Sequence, residues 1–385
     1  NFLSNSKAQN YLVAPQQLSC RKNGNSLFVN YDIKYNELLD SFYNKWVSER
    51  PDYVSKVELG MSSNNQKIYA YYFTPLQYSF TLILNCLHGQ EKYPVFAVAR
   101  FLKYLMDGEE NELYNYLRNN VRIIVIPHLN SYGFDQTGKI GDIYIGRNNA
   151  NGVNLNRNFE AGWQKAESPK GKYAFSEPES QAMKKFLEPF ANKSDVFLFD
   201  MHNTFVSNYG YAWFKTTDPL LGNDIKAFIK NWTKNYQKPN DFMMFNSFLD
   251  GSITKYASEI LGIKTLSAEY LPYNWFKGDT LQFFGAADMT LNFEYWSNLI
   301  YIVVKYINKT KEVLGNDEIT VYPNPTAGEL YIENILINNV KIYNILGMNQ
   351  LFSFKTSNIL NLNNIPNGSY YLIINNTYKK LIFKK

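Results

Sequence analysis

The sequence predicts an α/β protein: a three-layer domain built on a mixed sheet, followed by a small all-β sandwich. Three observations carry this. Residues 80–86, 121–126, 195–199 and 264–268 are short apolar runs rich in β-branched side chains, the pattern of strands buried on both faces of a largely parallel sheet. Amphipathic helical segments lie between them. After 309–317, a stretch rich in Asn, Lys, Thr, Glu and Gly, the hydrophobic period changes to two, as in short half-buried strands. The implied organisation is an N-terminal extension over 1–29 with no assignable pattern, an α/β domain over 30–308, a linker over 309–317 and a β-sandwich over 318–385.

Each element has a local reason. Segments 53–59 and 67–73 flank the turn-rich Gly60-Met-Ser-Ser-Asn-Asn and read as a hairpin. Residues 93–106 carry an apolar helical face. Ser176-Glu-Pro-Glu179 has the form of a capping box with Pro in the first turn, opening a helix to about residue 190. Asp218 is placed to cap a helix over 219–237, and a helix over 252–261 stops at Gly262. The last helix spans about 288–307. Its apolar run, 299–307, contains Lys305 and reads as a core helix. Strands over 329–333, 340–346, 368–375 and 380–384 are separated by turn signals such as Asn367-Gly368.

Composition narrows the function. With 45% hydrophobic residues in 385 there is ample material for a core, yet no uncharged apolar run reaches the roughly 18 residues of a membrane span. A formal charge of +5, with no clustered Lys/Arg stripe, excludes a nucleic-acid binder. Two cysteines cannot build a disulfide framework. Cys86 ends a strand-like run and reads as a buried thiol. Cys20 lies in a polar segment, and a bridge to it is disfavoured because a central strand is covered on both faces. The chain starts at Asn1 with no basic-then-apolar leader, so an export signal is either already removed or never present.

Only three histidines occur, His88, His128 and His202, so metal or proton chemistry draws on few groups. In open α/β sheets, ligands bind beyond the carboxyl ends of strands. His88, His202 and Glu269 each follow a strand-like run directly. With Glu91 of the His88-x-x-Glu91 pair, the imidazoles make the two-histidine, one-carboxylate set of a catalytic zinc that keeps an open position. Glu269 is then a carboxylate free to take a proton from water. A lone His-x-x-Glu is as well explained by a hydrogen-bonded turn; the conjunction at three strand ends argues for the site. Arg147 and Arg157 stand in an Asn-rich loop. They suit a substrate carboxylate and an oxyanion, or they are solvated. His128 has no motif partner and reads as structural or as cleft rim.

These residues resemble the zinc metallocarboxypeptidase family, of the pancreatic A/B and the D/E type. The resemblance rests on His88 and Glu91, Arg147, Gly152-Val-Asn-Leu-Asn-Arg-Asn-Phe159, His202 and Glu269, and covers about residues 30–308. It implies a zinc carboxypeptidase-like fold holding one Zn2+ per chain on His88, Glu91 and His202. It further implies that Arg147 polarises the scissile carbonyl, that Asn156 and Arg157 bind the terminal carboxylate of a peptide substrate, and that Glu269 activates the water bound by zinc. Ile253 falls where the family lines its side-chain pocket, which would favour apolar terminal residues. Three departures stand out. Asn154 replaces the Asp that supports the first zinc histidine, no Tyr occurs near Asn246 where the family has a mobile one, and Asn203-Thr204 follows His202 where many members have Ser-Tyr.

The last segment, with Val321-Tyr-Pro-Asn-Pro325, Val340-Lys-Ile-Tyr-Asn-Ile-Leu-Gly347 and Ile365-Pro-Asn-Gly-Ser-Tyr-Tyr371, resembles the C-terminal sorting domain of the type IX secretion system of Bacteroidetes. A generic β-sandwich is the alternative. The resemblance implies recognition by the type IX secretion machinery, export through the periplasm on a signal outside these residues, and a secreted or cell-surface location. Together the two resemblances imply a secreted carboxypeptidase. An amidase acting on peptidoglycan stem peptides, or an N-acyl amino acid deacylase, would use the same zinc set and Glu269. A catalytically silent binding protein is the reading that loss of a ligand would have favoured, and every ligand is present.

Overall fold

The structure, a computed structural model, describes residues 18–23, 26–31, 35–108, 112–136, 138–139, 146–203, 213–235, 243–244, 247–270, 292–307, 320–333, 340–344, 349–356, 358–374 and 378–384. The chain divides into two compact units, Asn1–Tyr301 and Ile302–Lys385.

In the first unit, β1 (Leu18–Asn23) and β2 (Ser26–Tyr31) form an antiparallel hairpin that runs across position 30, where the sequence places a domain start. Helix α1 (Tyr35–Glu49) follows. It buries Leu39, Phe42, Tyr43 and Trp46, one face at the i, i+3, i+4, i+7 spacing. Tyr43 stacks on Tyr71 with ring centroids 4.4 Å apart. The expected hairpin is β3 (Val54–Met61) and β4 (Lys67–Phe73); Ser62 accepts from and donates to Gln66 to close its turn.

Then come β5 (Phe80–Asn85), α2 (Lys92–Met106), α3 (Glu112–Asn120), β6 (Val121–Ile126), a helical turn (Ser131–Phe134), β7 (Gly138–Lys139), α4 (Pro178–Leu187), β8 (Val196–Asn203), β9 (Trp213–Thr216), α5 (Pro219–Asn235), β10 (Met243–Met244), a short helix (Ile253–Lys255) that widens into a π turn (Tyr256–Ile260), β11 (Lys264–Tyr270) and a last helix over 292–307, which continues past Tyr301. Eight strands form one sheet in the order β10-β9-β11-β8-β5-β6-β4-β3. The inner strands β11, β8, β5 and β6 run parallel. β9 and β4 flank them antiparallel, so the sheet is mixed, as expected. Every residue of β5 and β8 is buried, which is why those segments read as unbroken apolar runs rather than alternating ones.

Helices cover both faces. Met183, Phe186 and Leu187 of α4 pack with Ile83 and Leu198 on one side. On the other, Phe199 meets Trp296 at 5.7 Å and Tyr270 meets Tyr295 at 5.2 Å. Adjacent strand residues thus serve opposite layers. Asp218 Oδ1 accepts from the Leu220 and Leu221 amides at 2.8 and 3.2 Å, capping α5 as expected. Gly262, at φ +64°, ends the 253–260 helical segment.

The capping box at 176–179 does not form. Helix α4 has no side-chain cap. Glu179 instead turns inward, fully buried, and accepts from the Ser63 amide and hydroxyl and from Asn149 Nδ2; three inward donors outcompete one amide at the helix start. Cys86 is a free, buried thiol, so no bridge to Cys20 forms. Among the described residues no helix is long and apolar enough to cross a membrane.

The second unit is antiparallel throughout its named strands. β12 (Thr320–Tyr322), β13 (Glu329–Glu333), β16 (Ile359–Asn361) and β15 (Ser353–Thr356) form one sheet; β14 (Val340–Asn344), β17 (Gly368–Ile374) and β18 (Tyr378–Lys384) form the other. Leu330, Ile332, Leu360, Ile342, Leu372 and Ile382 meet in one core between them, as in a sandwich.

Candidate metal centre and active-site cleft

Three glycines set the backbone around the first half of the site. A Cβ on Gly89 would lie 2.1 Å from the Gly133 carbonyl carbon, and one on Gly133 would lie 2.1 Å from the Gly146 oxygen. Only bare backbone lets the turn after His88, the 131–134 turn and the backbone at Gly146 stack this closely. Asn130 fastens the stack: its side chain caps the Ser131–Phe134 turn and donates to the carbonyls of Arg147 and Asn148. Lys92 runs from the start of α2 into the interior and donates to the Phe134 carbonyl. Burial lowers its pKa to about 7.

Within that frame His88 and Glu91 sit at the end of β5 and the start of α2, and His202 sits near the end of β8. His88 Nδ1 lies 2.8 Å from Glu91 Oε1, and His202 Nδ1 lies 2.7 Å from Glu91 Oε2. The rings are 5.0 Å apart, and all three residues are buried. Donor atoms of the three lie within 4.8 Å of one another. Among the described residues this is the single His/Cys/Asp/Glu group so arranged. Two imidazoles and one carboxylate converging on one point fit zinc with a position left open.

The far nitrogens of both rings have acceptors behind them, as metal-binding imidazoles require. His88 Nε2 is 3.0 Å from Asn154 Oδ1, and His202 Nε2 is 2.6 Å from Asp200 Oδ2. Asn154 Oδ1 also accepts from the Asn156 amide at 3.1 Å, capping the 3-10 turn Leu155–Arg157. An amide oxygen serves both roles, so the Asn at this position keeps the geometry though not the charge. The carboxylate stands behind the other histidine instead. Asp200 is itself held by Asn85 Nδ2 at 2.6 Å from its second oxygen.

Electrostatics follow from the crowding. Burial pushes the His88 pKa down to about 4, with Arg147 adding to the effect and Glu91 opposing it. Burial pushes the Glu91 carboxyl up, but the two imidazoles together hold it well below the usual range. Burial would lower His202, yet Asp200 and Glu91 on either side raise it well above the ordinary histidine value. A metal bound here would compete with protons for these donors.

Glu269 is the direct register partner of His202 across β8 and β11. Burial, then the Glu91 charge, raises its pKa to about 7, opposed by His202 and Arg147. Arg147 Nη1 lies 3.4 Å from Glu91 Oε1. Asn156 Nδ2 reaches 3.5 Å from His202 Nε2, and its oxygen accepts from the Ile253 amide at 3.1 Å. Arg157 donates to the Asn156 carbonyl at 2.9 Å and to Glu167 at 3.1 Å. His88, Arg147, Asn156, Arg157, His202 and Glu269 all line one cleft that opens to solvent.

Ile253 does not line it. Its side chain is fully buried with Leu155, Tyr256 and Leu261, and the neighbours Ser252 and Thr254 face the cleft instead. Ser252 caps the helix that starts there, which turns the next side chain inward. His128 is also away from the metal group: it stacks on Phe134 at 5.5 Å, with Nε2 3.8 Å from Asp40. Thr204 and the region of Asn246 lie outside the described residues. Sequence reasoning missed Asp200, although an Asp two residues before a strand-end His shares its face. It also missed Lys215, Ser247, Phe248, Leu249 and Ser267, which complete the cleft wall.

This fold and centre define a class. Residues 39–282 match the family described as zinc carboxypeptidase, and residues 320–385 match the secretion system C-terminal sorting domain. The chain belongs to the zinc carboxypeptidase family, with a sorting domain after it. The catalytic chain of carboxypeptidase N from Mus musculus is 28% identical over 139 residues, 33% of this chain and 30% of that protein; the chain thus spans under a third of that relative. Carboxypeptidase A from Helicoverpa armigera superposes with a TM-score of 0.54 at 19% identity, covering 70% of this chain and 72% of that one. Bovine thrombin-activatable fibrinolysis inhibitor, in complex with tick carboxypeptidase inhibitor, superposes at 0.55 with 15% identity, covering 73% and 98%. These likenesses establish the fold.

Proposed function

We propose that the chain is a secreted zinc-dependent exopeptidase that releases residues from the C-terminus of peptides. One observation carries the reading: the two histidines of a metal triad, a carboxylate of raised pKa and a buried arginine line the same cleft. When bound, zinc supplies a Lewis acid that polarises the scissile carbonyl and acidifies the attacking water. His88, Glu91 and His202 hold it; Asn154 and Asp200 fix the two imidazole orientations. Arg157 and Asn156 seat the terminal carboxylate and so place the last peptide bond at the metal. Arg147 stabilises the oxyanion that develops. Glu269 takes the proton from water and returns it to the leaving amine, a shuttle suited to a carboxyl poised near neutrality. The sorting domain is the address by which the secretion machinery exports the chain to the surface or beyond.

The test is residue release from matched peptides with a free C-terminal carboxylate or a C-terminal amide, with and without a chelator. Zinc-dependent release from the free acid, and little from the amide, is expected. Equal cleavage of both sinks the exopeptidase reading in favour of an amidase or deacylase on the same centre.

A further inference from the structure

Arg147 lies in a turn outside the named helices and strands. Its place beside the metal group is therefore not set by sheet register, as it is for His202 and Glu269. Among the described residues, two hydrogen bonds hold it. Nη1 lies 3.4 Å from Glu91 Oε1, and the Arg147 carbonyl accepts from Asn130 Nδ2 at 3.1 Å. The Glu91 carboxylate is also claimed by His88 and His202. The backbone tether to Asn130 is the one that stands apart from the metal group.

Asn130 is fully buried, and its partners assign both ends of its amide. Oδ1 accepts from the Gly133 amide at 2.9 Å, capping the 131–134 turn. Nδ2 then faces three successive carbonyls, those of Gly146, Arg147 and Asn148, at 3.4, 3.1 and 3.0 Å. An amide nitrogen carries two hydrogens, so the two shorter contacts are the principal bonds. The preceding residue is tied to the sheet edge: the Leu129 amide donates to the Cys86 carbonyl at 3.1 Å, two residues before His88. A path thus runs from the end of β5 through the Leu129 backbone and the Asn130 side chain to the backbone of Arg147. Asn130 itself does not line the cleft.

We propose that Asn130 is the positioning residue for Arg147, holding its backbone so that the guanidinium meets the developing oxyanion. The inference rests on the oxyanion role proposed above for Arg147. A misplacement of about 1 Å can cost on the order of a hundredfold in rate. The oxyanion exists only as the reaction proceeds, so a misplaced Arg147 lowers kcat and spares KM. Recognition of the terminal carboxylate by Arg157 is left as it was.

The test uses Asn130→Ser and Asn130→Asp in the zinc-loaded full chain. Both keep an acceptor for the Gly133 amide; Ser is too short, and ionised Asp has no hydrogen, to bond the 146–148 carbonyls. In each, kcat for a free-acid peptide should fall roughly ten- to a hundredfold, with KM, zinc content and the acid-to-amide preference nearly unchanged. A phosphonate peptide, whose tetrahedral anion mimics the transition state, should lose affinity by the same factor as kcat/KM. The deciding comparison is a double-mutant cycle: in an Arg147→Gln protein, Asn130→Ser should lower kcat no further, because the two residues act as a unit. An equal loss in that background overturns the proposal, and so does a kcat untouched by either variant or a rise in KM with kcat kept. Loss of cooperative thermal melting in both variants makes Asn130 a residue of the fold and overturns it as well. If Arg147→Gln alone leaves kcat unchanged, the oxyanion role of Arg147 fails and the proposal with it.

Discussion

His202 and Glu269 face each other as direct partners in the parallel pairing of β8 and β11. A metal-donor imidazole and the proposed acid–base carboxylate are therefore set side by side by strand register, not by a flexible loop. A site built on sheet backbone holds its distances as the substrate enters and leaves.

The pairing makes Glu269→Gln a clean variant. It removes the proposed proton acceptor but none of the three metal donors. We expect kcat to fall by roughly a hundred- to ten-thousandfold, with zinc content unchanged by metal analysis. Loss of zinc together with activity would mean that Glu269 is part of the metal site.

The raised Glu269 pKa sets a pH dependence with a definite sign. Its carboxyl is held up to about 7 by burial and then by Glu91, and only the ionised form accepts a proton. kcat/KM should therefore rise with pH along an acidic limb. Bound zinc, a nearby cation, favours the carboxylate, so the limb's midpoint should lie below about 7 in the metal-loaded protein. The same limb persisting in the residual activity of Glu269→Gln would assign it to another group.

Asn154 and Asp200 stand behind the two zinc histidines and differ in charge. A carboxylate raises imidazole basicity where an amide does not. Asp200→Asn should weaken zinc retention by roughly ten- to a hundredfold, read by chelator competition. Asn154→Asp should strengthen it. Equal retention in all three proteins would mean that the acceptors orient the rings without tuning the metal.

The change of hydrophobic period places a linker over 309–317, whereas the compact units divide between Tyr301 and Ile302, and the difference gives a further test. A protein ending at Asp317 keeps the whole last helix over 292–307, including the buried Val303 and Val304. It should remain soluble and active while losing export in a host with the secretion machinery. An insoluble truncation would show that the second unit is needed for the first to fold.

Most of the centre was readable because parallel strands announce themselves as unbroken apolar runs. The residues that end such runs fall at one sheet edge, so His88, His202 and Glu269 could be grouped without coordinates. Hairpin 54–73 and the cap at Asp218 were readable from local turn and capping chemistry. What could not be read depends on contacts distant in sequence. Lys215 reaches the cleft only because β9 pairs antiparallel with β11, a register no local pattern encodes. Ile253 was misplaced by a single step: its side chain packs in the core, while its neighbours Ser252 and Thr254 line the cleft. Glu179 looked like a cap because the pattern is local, whereas its partners Ser63 and Asn149 are remote.

Arg157 already carries a carboxylate. Glu167 sits 3.1 Å from its Nη2, with the glutamate side chain 83% exposed and the arginine side chain 10%. A terminal substrate carboxylate would compete for that same guanidinium. Because Glu167 is so exposed, its pair with Arg157 is screened and worth little, so the competition is weak. Glu167→Gln should therefore lower KM for free-acid peptides by no more than about fivefold, the upper range for an exposed pair, and leave kcat nearly unchanged. Arg157→Ala acts in the opposite sense and more strongly. It would remove the proposed contact to the terminal carboxylate, one held in ground and transition states alike, so KM should rise at least as much as kcat falls. It should also narrow the gap between a peptide acid and its amide, because the guanidinium is what tells them apart. The two variants together separate the roles. If Glu167→Gln raises KM, the glutamate aligns the arginine for substrate rather than competing with it. If Arg157→Ala leaves the acid-to-amide ratio untouched, the terminal carboxylate is recognised elsewhere in the cleft.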